Sequence, residues 1–562
     1  MIGVISSDRE KEIAREFFEL FKTPWEFCSS DHLYDVVIST RNASPEWSAK
    51  LVLVYSSELG TFDSEKDLPV GSQCKSLTLA WNDVEFPVYG NALTFDGKFE
   101  KIMGIKGSSQ SVGIGWDDPE RKFVRIGYDL FEEVSFLLAS GQPRESANIP
   151  TLEIHISILR ELILDAGIPL IEIPPIPEGC RFMVCLTHDV DFLGIRHHKL
   201  DRSMFGFIHR VFFPYSLRDF SSKISWSKIF RNIKALLSLP GVYLGLFRDF
   251  WLQIGHYSEI EKSILSTFFF IPFRNQAGRM DPNENVPSRY RATKYDLNDY
   301  KNVLNHLLKK GNEIALHGMD AWHDPQQGRK ELEAICQLNG GRDVGVRMHW
   351  LYFSQESPRA LEEAGFAYDS TLGYNDAVGY RSGTTQVFRL PGASNLLELP
   401  LHVQDTAMFY KKRMGLSEVE ALQMFQKLIG DMRTYGGVFT INWHQRSLGP
   451  ERNWDTFYIE LLRILKAEDV CFVTAKQAVD WFARRRSVHF NGIKFSENGI
   501  RLQLGSENSD GSSHQLIRVH HPPTKASNRQ DHPCCDKSFT DIPWSGECEL
   551  ELPSSLPFPN SY

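Results

Sequence analysis

From about residue 180 onward, short apolar runs alternate with longer stretches in which apolar residues recur at helical spacing. The runs are FMVCLT (182–187), TFFFIP (267–272), EIALH (313–317), DVGVRM (343–348), LLELP (396–400), GVFTINW (437–443) and DVCFVT (469–474). An apolar run of this length, without polar alternation, fits a strand covered on both faces. Between them, LNDYKNVLNHLLKKG (297–311) and LSEVEALQMFQKLIGDMRTYGG (416–437) carry helical periodicity and close on glycine. Strand alternating with helix predicts an α/β fold over 181–486, an irregular (β/α) barrel of about seven parallel strands. An open doubly wound sheet is the competing arrangement, but no glycine-rich phosphate loop follows the first run.

The flanks have other rhythms. Residues 1–175 mix strands (YDVVIST, 34–40; KLVLVYSS, 50–57) with helices (128–141 and 152–167), which predicts an N-terminal α/β domain. The proline-rich link IPPIPEG (173–179) reads as its boundary. The tail from 487 to 562 alternates and carries Asn-Gly twice, which predicts hairpins in a small β-rich module. PPTKASNRQDHP within it reads as a mobile loop. A helical insertion occupies 196–262, between the first two barrel strands.

With 562 residues, 42% hydrophobic, the chain has material for several cores. Its net charge of −9 argues against a nucleic-acid partner. Nine scattered cysteines without C-x-x-C spacing predict neither a disulfide framework nor a zinc finger, and suit a reducing compartment. The N-terminus lacks the pattern of a secretory signal, and no run of 18 apolar residues exists. The expected location is the cytoplasm, with membrane association through the insertion as an extension of that reading. From Arg196 to Arg248 ten Lys or Arg face two Asp, among MFGFIHRVFF and FRNIKALLSLPGVYLGLF. Such a segment fits peripheral contact with an anionic membrane. A helical cap with a solvated basic face fits equally.

Chemistry enters where the strands end. A parallel barrel gathers its site at the C-terminal ends of its strands. There the chain places His188, Asp189 and Asp191; His317, Asp320 and His323; Arg347 and His349; and His444. Any single one reads equally well as a turn cap or a satisfied core histidine. Together, imidazole and carboxylate groups on four strands make a functional centre, suited to zinc or a related divalent metal with groups left over for acid and base.

These motifs resemble those of the polysaccharide deacetylases with a NodB-homology domain, a carbohydrate esterase family 4-like group. THDVD, LHGMDAWHD, GVRMHW and NWH stand in that family's order, and STFFFIP resembles its second strand. YDSTLGYNDAVGYRSGT (368–384) and the flanking modules resemble a bacterial subgroup found with surface-polysaccharide synthesis. The resemblance covers a little over half of the chain. It implies that Asp189 is the general base, Asp191 and His317 are metal ligands, Arg347 pairs with Asp189, and His444 is the general acid. It also implies a third ligand four residues after His317, where this chain has Ala321. His349 is favoured over His323 as the replacement, with Asp320 as a third choice.

Trp322, Trp350, Tyr352 and Trp443 flank the centre as a sugar platform or as core packing. Asp405 reads either as a hydrogen-bond partner of a sugar hydroxyl or as a loop cap. The expected function is metal-dependent removal of an N-acyl group, N-acetyl in the first instance, from a carbohydrate that is lipid- or nucleotide-linked. The alternative is a non-catalytic carbohydrate-binding or assembly protein, motivated by Ala321. A glycosidase using Asp189 and a second carboxylate leaves the histidines unexplained.

Overall fold

The apolar runs of the central segment become strands because both of their faces are covered. Phe182–Val190 (β1), Thr267–Phe270 (β2), Glu313–Gly318 (β3), Val346–Met348 (β4), Val403–Gln404 (β5), Val438–Asn442 (β6) and Val470–Val473 (β7) form one sheet. The order is β4-β3-β2-β1-β6-β5, with β7 also paired to β1, and every pairing is parallel. All nine residues of β1 are buried. The computed structural model describes the chain except residues 43–48, 98, 120, 214–225, 283–285, 342, 497–498, 507–514, 524–538, 547–548 and 554–562.

Helices return the chain between strands, and their ends are chemically marked. Asp324 caps Pro325–Asn339, and Ser417 and Thr474 make capping boxes at Glu418–Tyr435 and Ala475–Ser487. One strand differs from expectation. LLELP forms only Leu397–Glu398, antiparallel to Phe388–Arg389. Pro400 has no N–H to prolong a ladder. Parallel bridges Val346↔Asp369 and Asp369↔Glu398 carry the curled sheet beyond β4, towards the segment that leads into β5.

Residues 2–126 build a nine-stranded mixed sheet. Its parallel part contains the two expected strands, as Val36–Ser39 and Leu51–Tyr55. Its antiparallel part holds twelve-residue strands, Val70–Trp81 and Val84–Phe95, whose tight turn takes a positive φ at Asn82. Helix Thr151–Asp165 braces the central domain. Its buried Glu153 accepts from the Thr384 hydroxyl, the Thr385 amide and the Gln386 side chain. That contact steadies the end of 368–384 and the two residues after it.

The link at 173–179 is not a clean boundary. Leu170–Glu172 pairs antiparallel with Gln515–His520, which pairs with Phe539–Trp544. A second sheet joins 488–496, 499–506 and 549–553, and the two share a core that includes Ile171, Leu502, Val519 and Trp544. The tail's module is therefore completed by a strand from before the link. Asn491-Gly492 makes a bulge inside a strand rather than a turn. Most of PPTKASNRQDHP lies outside the described residues, as does 214–225 of the insertion.

Cys180 and Cys471 form a disulfide, with Cα atoms 5.9 Å apart. A single bond is not a disulfide framework, and Cys28, Cys74, Cys185 and Cys336 are free thiols, but this one pair was not expected from the cysteine spacing. Among the described residues, no helix is long and apolar enough to cross a membrane.

Candidate active site

The pleat of β1 sorts its polar residues. Side chains alternate along a strand, so Thr187 and Asp189 share one face and His188 takes the other. His188 is fully buried there: Nδ1 lies 2.8 Å from the Trp443 carbonyl and Nε2 lies 3.1 Å from Glu261. It is a core histidine and takes no part in the cluster. On the other face, Arg347 of β4 donates from Nη1 to Asp189 Oδ1 at 3.0 Å and to the Thr187 hydroxyl at 2.7 Å. His317 and Arg347 are register partners on β3 and β4, which puts both on this face. Asn442 of β6 donates to Asp189 Oδ2 at 2.7 Å and accepts from its backbone N–H.

Burial pushes the Asp189 carboxyl up, but Arg347, His317 and His444 outweigh it and hold the pKa below the ordinary value. Asp189 therefore stays ionised with both oxygens engaged.

Asp191, His317 and His349 converge two residues further out. His317 Nε2 is 3.0 Å from His349 Nδ1, and Asp191 Oδ1 is 3.3 Å from each nitrogen. Four ligands at about 2.0–2.1 Å around a tetrahedral ion would stand roughly 3.4 Å apart. The triangle thus has the size of one face of such a tetrahedron. Protonation agrees. His317 Nδ1 donates to the Arg347 carbonyl at 2.9 Å, which fixes the ring with Nε2 turned to the triangle. Burial pushes His349 down to about 4, so it is neutral near pH 7. Burial would raise Asp191, but His349, His317 and His444 drive it well below the ordinary carboxylate range. Asp191 Oδ1 is buried and has no hydrogen-bond donor. A buried carboxylate oxygen without a hydrogen-bond partner, faced by two imidazole nitrogens, fits a divalent cation. Among the described residues, this is the one group of three or more such side chains with metal-binding spacing.

Ala321 cannot contribute. It is fully buried, and a Cβ built on Gly328 of the neighbouring helix would come within 3.1 Å of its methyl group. His323 lies 3.2 Å from Asp320 and outside the triangle. Asp320 accepts from the Arg279 amide. His349 reaches the triangle because the chain turns sharply behind it. Trp350 and Leu351 have φ of 65° and 55°. Left-handed backbone at a non-glycine residue costs roughly 1–2 kcal/mol. Hydrogen bonds hold the turn: Arg291 donates to the His349 carbonyl and Asn375 donates to the Trp350 carbonyl.

His444 follows β6. Its Nδ1 is 2.6 Å from Asp405 Oδ1, and its Nε2 points inward, 3.8 Å from Asp191 Oδ2. Burial lowers the imidazole pKa, but Asp405 first and then Asp191 and Asp189 raise it above the ordinary value. Asp405 is fully buried and also accepts from the His444 amide and the Ser447 hydroxyl. This corrects its expected role at a sugar hydroxyl: no substrate reaches it, and it orients His444. Trp443 is equally buried, stacked on Phe457 and Tyr458. Tyr352, 5% exposed, lies under the Arg291 guanidinium. Trp322 is also buried. Of the four expected aromatics only Trp350 is partly exposed, 5.7 Å from the His349 ring.

Asn442 and Arg291 are two residues of the site that the sequence motifs do not mark. Asn442 stands two residues before His444, the spacing that returns a strand to the same face. Arg291 lies in a loop with no local signal.

No family model matches the chain, and no curated relative was found. Among solved structures, a candidate polysaccharide deacetylase of Mycobacterium smegmatis is 19% identical, with a TM-score of 0.33 over 55% of this chain and 94% of that one. A candidate polysaccharide deacetylase of Pseudomonas aeruginosa PAO1 is 15% identical, with a TM-score of 0.32 over 54% and 92%. The allantoinase PuuE is 15% identical, with a TM-score of 0.31 over 55% and 92%. Likeness of this degree carries no weight for function, which has to come from the side chains.

Proposed function

We propose that the chain is a divalent-metal-dependent hydrolase that removes an N-acyl group, N-acetyl in the first instance, from a sugar. We read its central domain as an irregular (β/α) barrel with the site at the C-terminal strand ends. The observation that carries the reading is the division of labour between two neighbouring carboxylates. Asp191 completes a ligand triangle with His317 and His349, while Asp189 is held ionised beside it by Arg347 and Asn442.

A cation in the triangle, zinc by ligand chemistry, would act as a Lewis acid on the acyl oxygen and on the attacking water. Asp189 takes the proton of that water as its oxygen attacks the acyl carbon. Arg347 and Asn442 fix the carboxylate through charge-assisted bonds. His444 gives the proton from Nε2 to the sugar nitrogen as the C–N bond breaks, releasing a carboxylic acid and an amine. Asp405 orients the ring with Nε2 directed inward and favours its protonated form. Trp350 offers an aromatic face to a sugar ring. The substrate would be an N-acylated, lipid- or nucleotide-linked precursor in bacterial surface-polysaccharide synthesis.

The non-catalytic alternative rested on Ala321, and with His349 in reach of His317 and Asp191 no observation favours it. The test is release of acetate from N-acetylated sugar oligomers by zinc-loaded protein and by Asp189→Asn. Zinc-dependent acetate release that is lost in the variant supports the reading. Turnover equal in both, or no zinc bound by the wild type, overturns it.

A further inference from the structure

The insertion between β1 and β2 distributes its apolar side chains unusually. Helices Arg202–Phe212 and Trp226–Tyr243 share a small core with Met204, Phe207, Ala235, Leu239 and Trp251. That core takes one face of the second helix. The other face carries Trp226, Phe230, Ile233 and Leu237, at spacings of four, three and four residues. They are 69%, 68%, 43% and 75% exposed. Phe205 and Phe212 of the first helix and Phe213 just after it are more than half exposed, as are Leu244, Leu246 and Phe247 after the second. Isolated exposed apolar residues are ordinary, but a cluster this dense on one small unit calls for a covering partner.

Charge identifies the partner. Arg196, Lys199, Arg202, Lys234 and Arg248 are exposed in the same unit. Among the described residues of 196–248 no acid is exposed: Asp201 caps the first helix and pairs with His198. The whole chain is acidic, so this basic set is local. A two-fold contact with a second copy would set these cations against one another. An anionic bilayer offers acyl chains to the aromatic and aliphatic groups and phosphates to the cations. The unit is also fastened to the rim of the site. Arg231 forks onto Asp455, Gln445 donates to the Trp251 carbonyl directly behind His444, and Arg446 lies 3.5 Å over the Trp251 ring.

We propose that this helical unit docks on an anionic lipid surface, with Trp226, Phe230, Leu237 and their neighbours entering the headgroup–acyl boundary. The inference stands apart from the hydrolase reading, since it uses no residue of the site.

The test is co-sedimentation of the full chain with phosphatidylglycerol or phosphatidylcholine vesicles at low and high salt. Expected is binding to phosphatidylglycerol that is about tenfold or more tighter than to phosphatidylcholine and is weakened by salt. Two variants divide the contributions: Trp226→Ser/Phe230→Ser/Leu237→Ser, and Lys199→Glu/Arg202→Glu/Lys234→Glu. Each should lose most vesicle binding while keeping the thermal midpoint and zinc uptake of the wild type. No binding to phosphatidylglycerol at low salt overturns the proposal. So does undiminished binding by the apolar variant, or a wild-type dimer that the apolar variant dissociates, which would make the face an interface between copies. If a variant lowers the thermal midpoint, single substitutions at Phe230 and Lys234 replace it.

Discussion

The rim of the parallel sheet and the helical insertion depart from the usual distribution of side chains in opposite directions. At the rim, Asp189, Asp191, His317, Arg347 and His349 gather charged or polar atoms in the interior. In the insertion, Trp226, Phe230 and Leu237 leave large apolar groups outside. Each arrangement costs free energy in the isolated chain, one by desolvation and the other by hydrated apolar surface. On the two proposals above, each would become favourable with something the chain does not itself supply, a cation in one case and a lipid surface in the other. The comparison teaches that local breaches of the burial rule mark where a protein expects company.

The strongest way to break this comparison is at the ligands. His317→Ala or Asp191→Ala should abolish stoichiometric zinc binding and reduce acetate release to background, measured by elemental analysis and product assay. Full zinc occupancy in the double variant would dismiss the triangle. Next in size is Asp189→Asn, which should keep its zinc and lose about 10²–10⁴-fold in turnover, the usual worth of a general base. Loss of the metal instead would mean that the two carboxylates have been given each other's roles.

The insertion is sharpened by contrasting its two faces. Phe207→Ala removes a fully buried ring and should destabilise that unit by about 3–5 kcal/mol, read as local loss of hydrogen-exchange protection. Phe230→Ser should change stability by less than about 0.5 kcal/mol. Equal losses would mean that the outer face is packed and needs no partner.

Asp405→Asn gives a smaller, directional effect. Asp405 raises the His444 pKa, and the proton-donating form is lost as pH rises through that value. Without the carboxylate the alkaline limb of the pH–rate profile should move to lower pH. The acid limb, set by the depressed Asp189, should stay in place. An unmoved alkaline limb would remove His444 from the role of acid. Smallest of all, His323→Ala should leave the zinc affinity unchanged, because that ring lies outside the triangle.

Much of this architecture is legible without coordinates. Continuous apolar runs dictate two-sided burial, and two-sided burial with intervening helices dictates a parallel sheet. The same logic brings Asp189, His317, Arg347 and His444 to one end, since each follows or closes a strand. Period-two alternation even pairs Thr187 with Asp189. What sequence left open is everything that depends on a turn or on a second element. That His349 stands beside His317 and Asp191 depends on Trp350 and Leu351, whose left-handed backbone turns the chain behind it and is held by Arg291 and Asn375. From sequence Asp405 fits a sugar hydroxyl or a loop cap equally, because a carboxylate's partner, here His444, is set by the strand beside it rather than by its own neighbours in the chain. Leu170–Glu172 closed a sheet with residues almost 350 positions away. Local periodicity fixes which face a residue occupies. Only the packed structure fixes what it meets there, because contact is a property of pairs whose separation along the chain carries no signal.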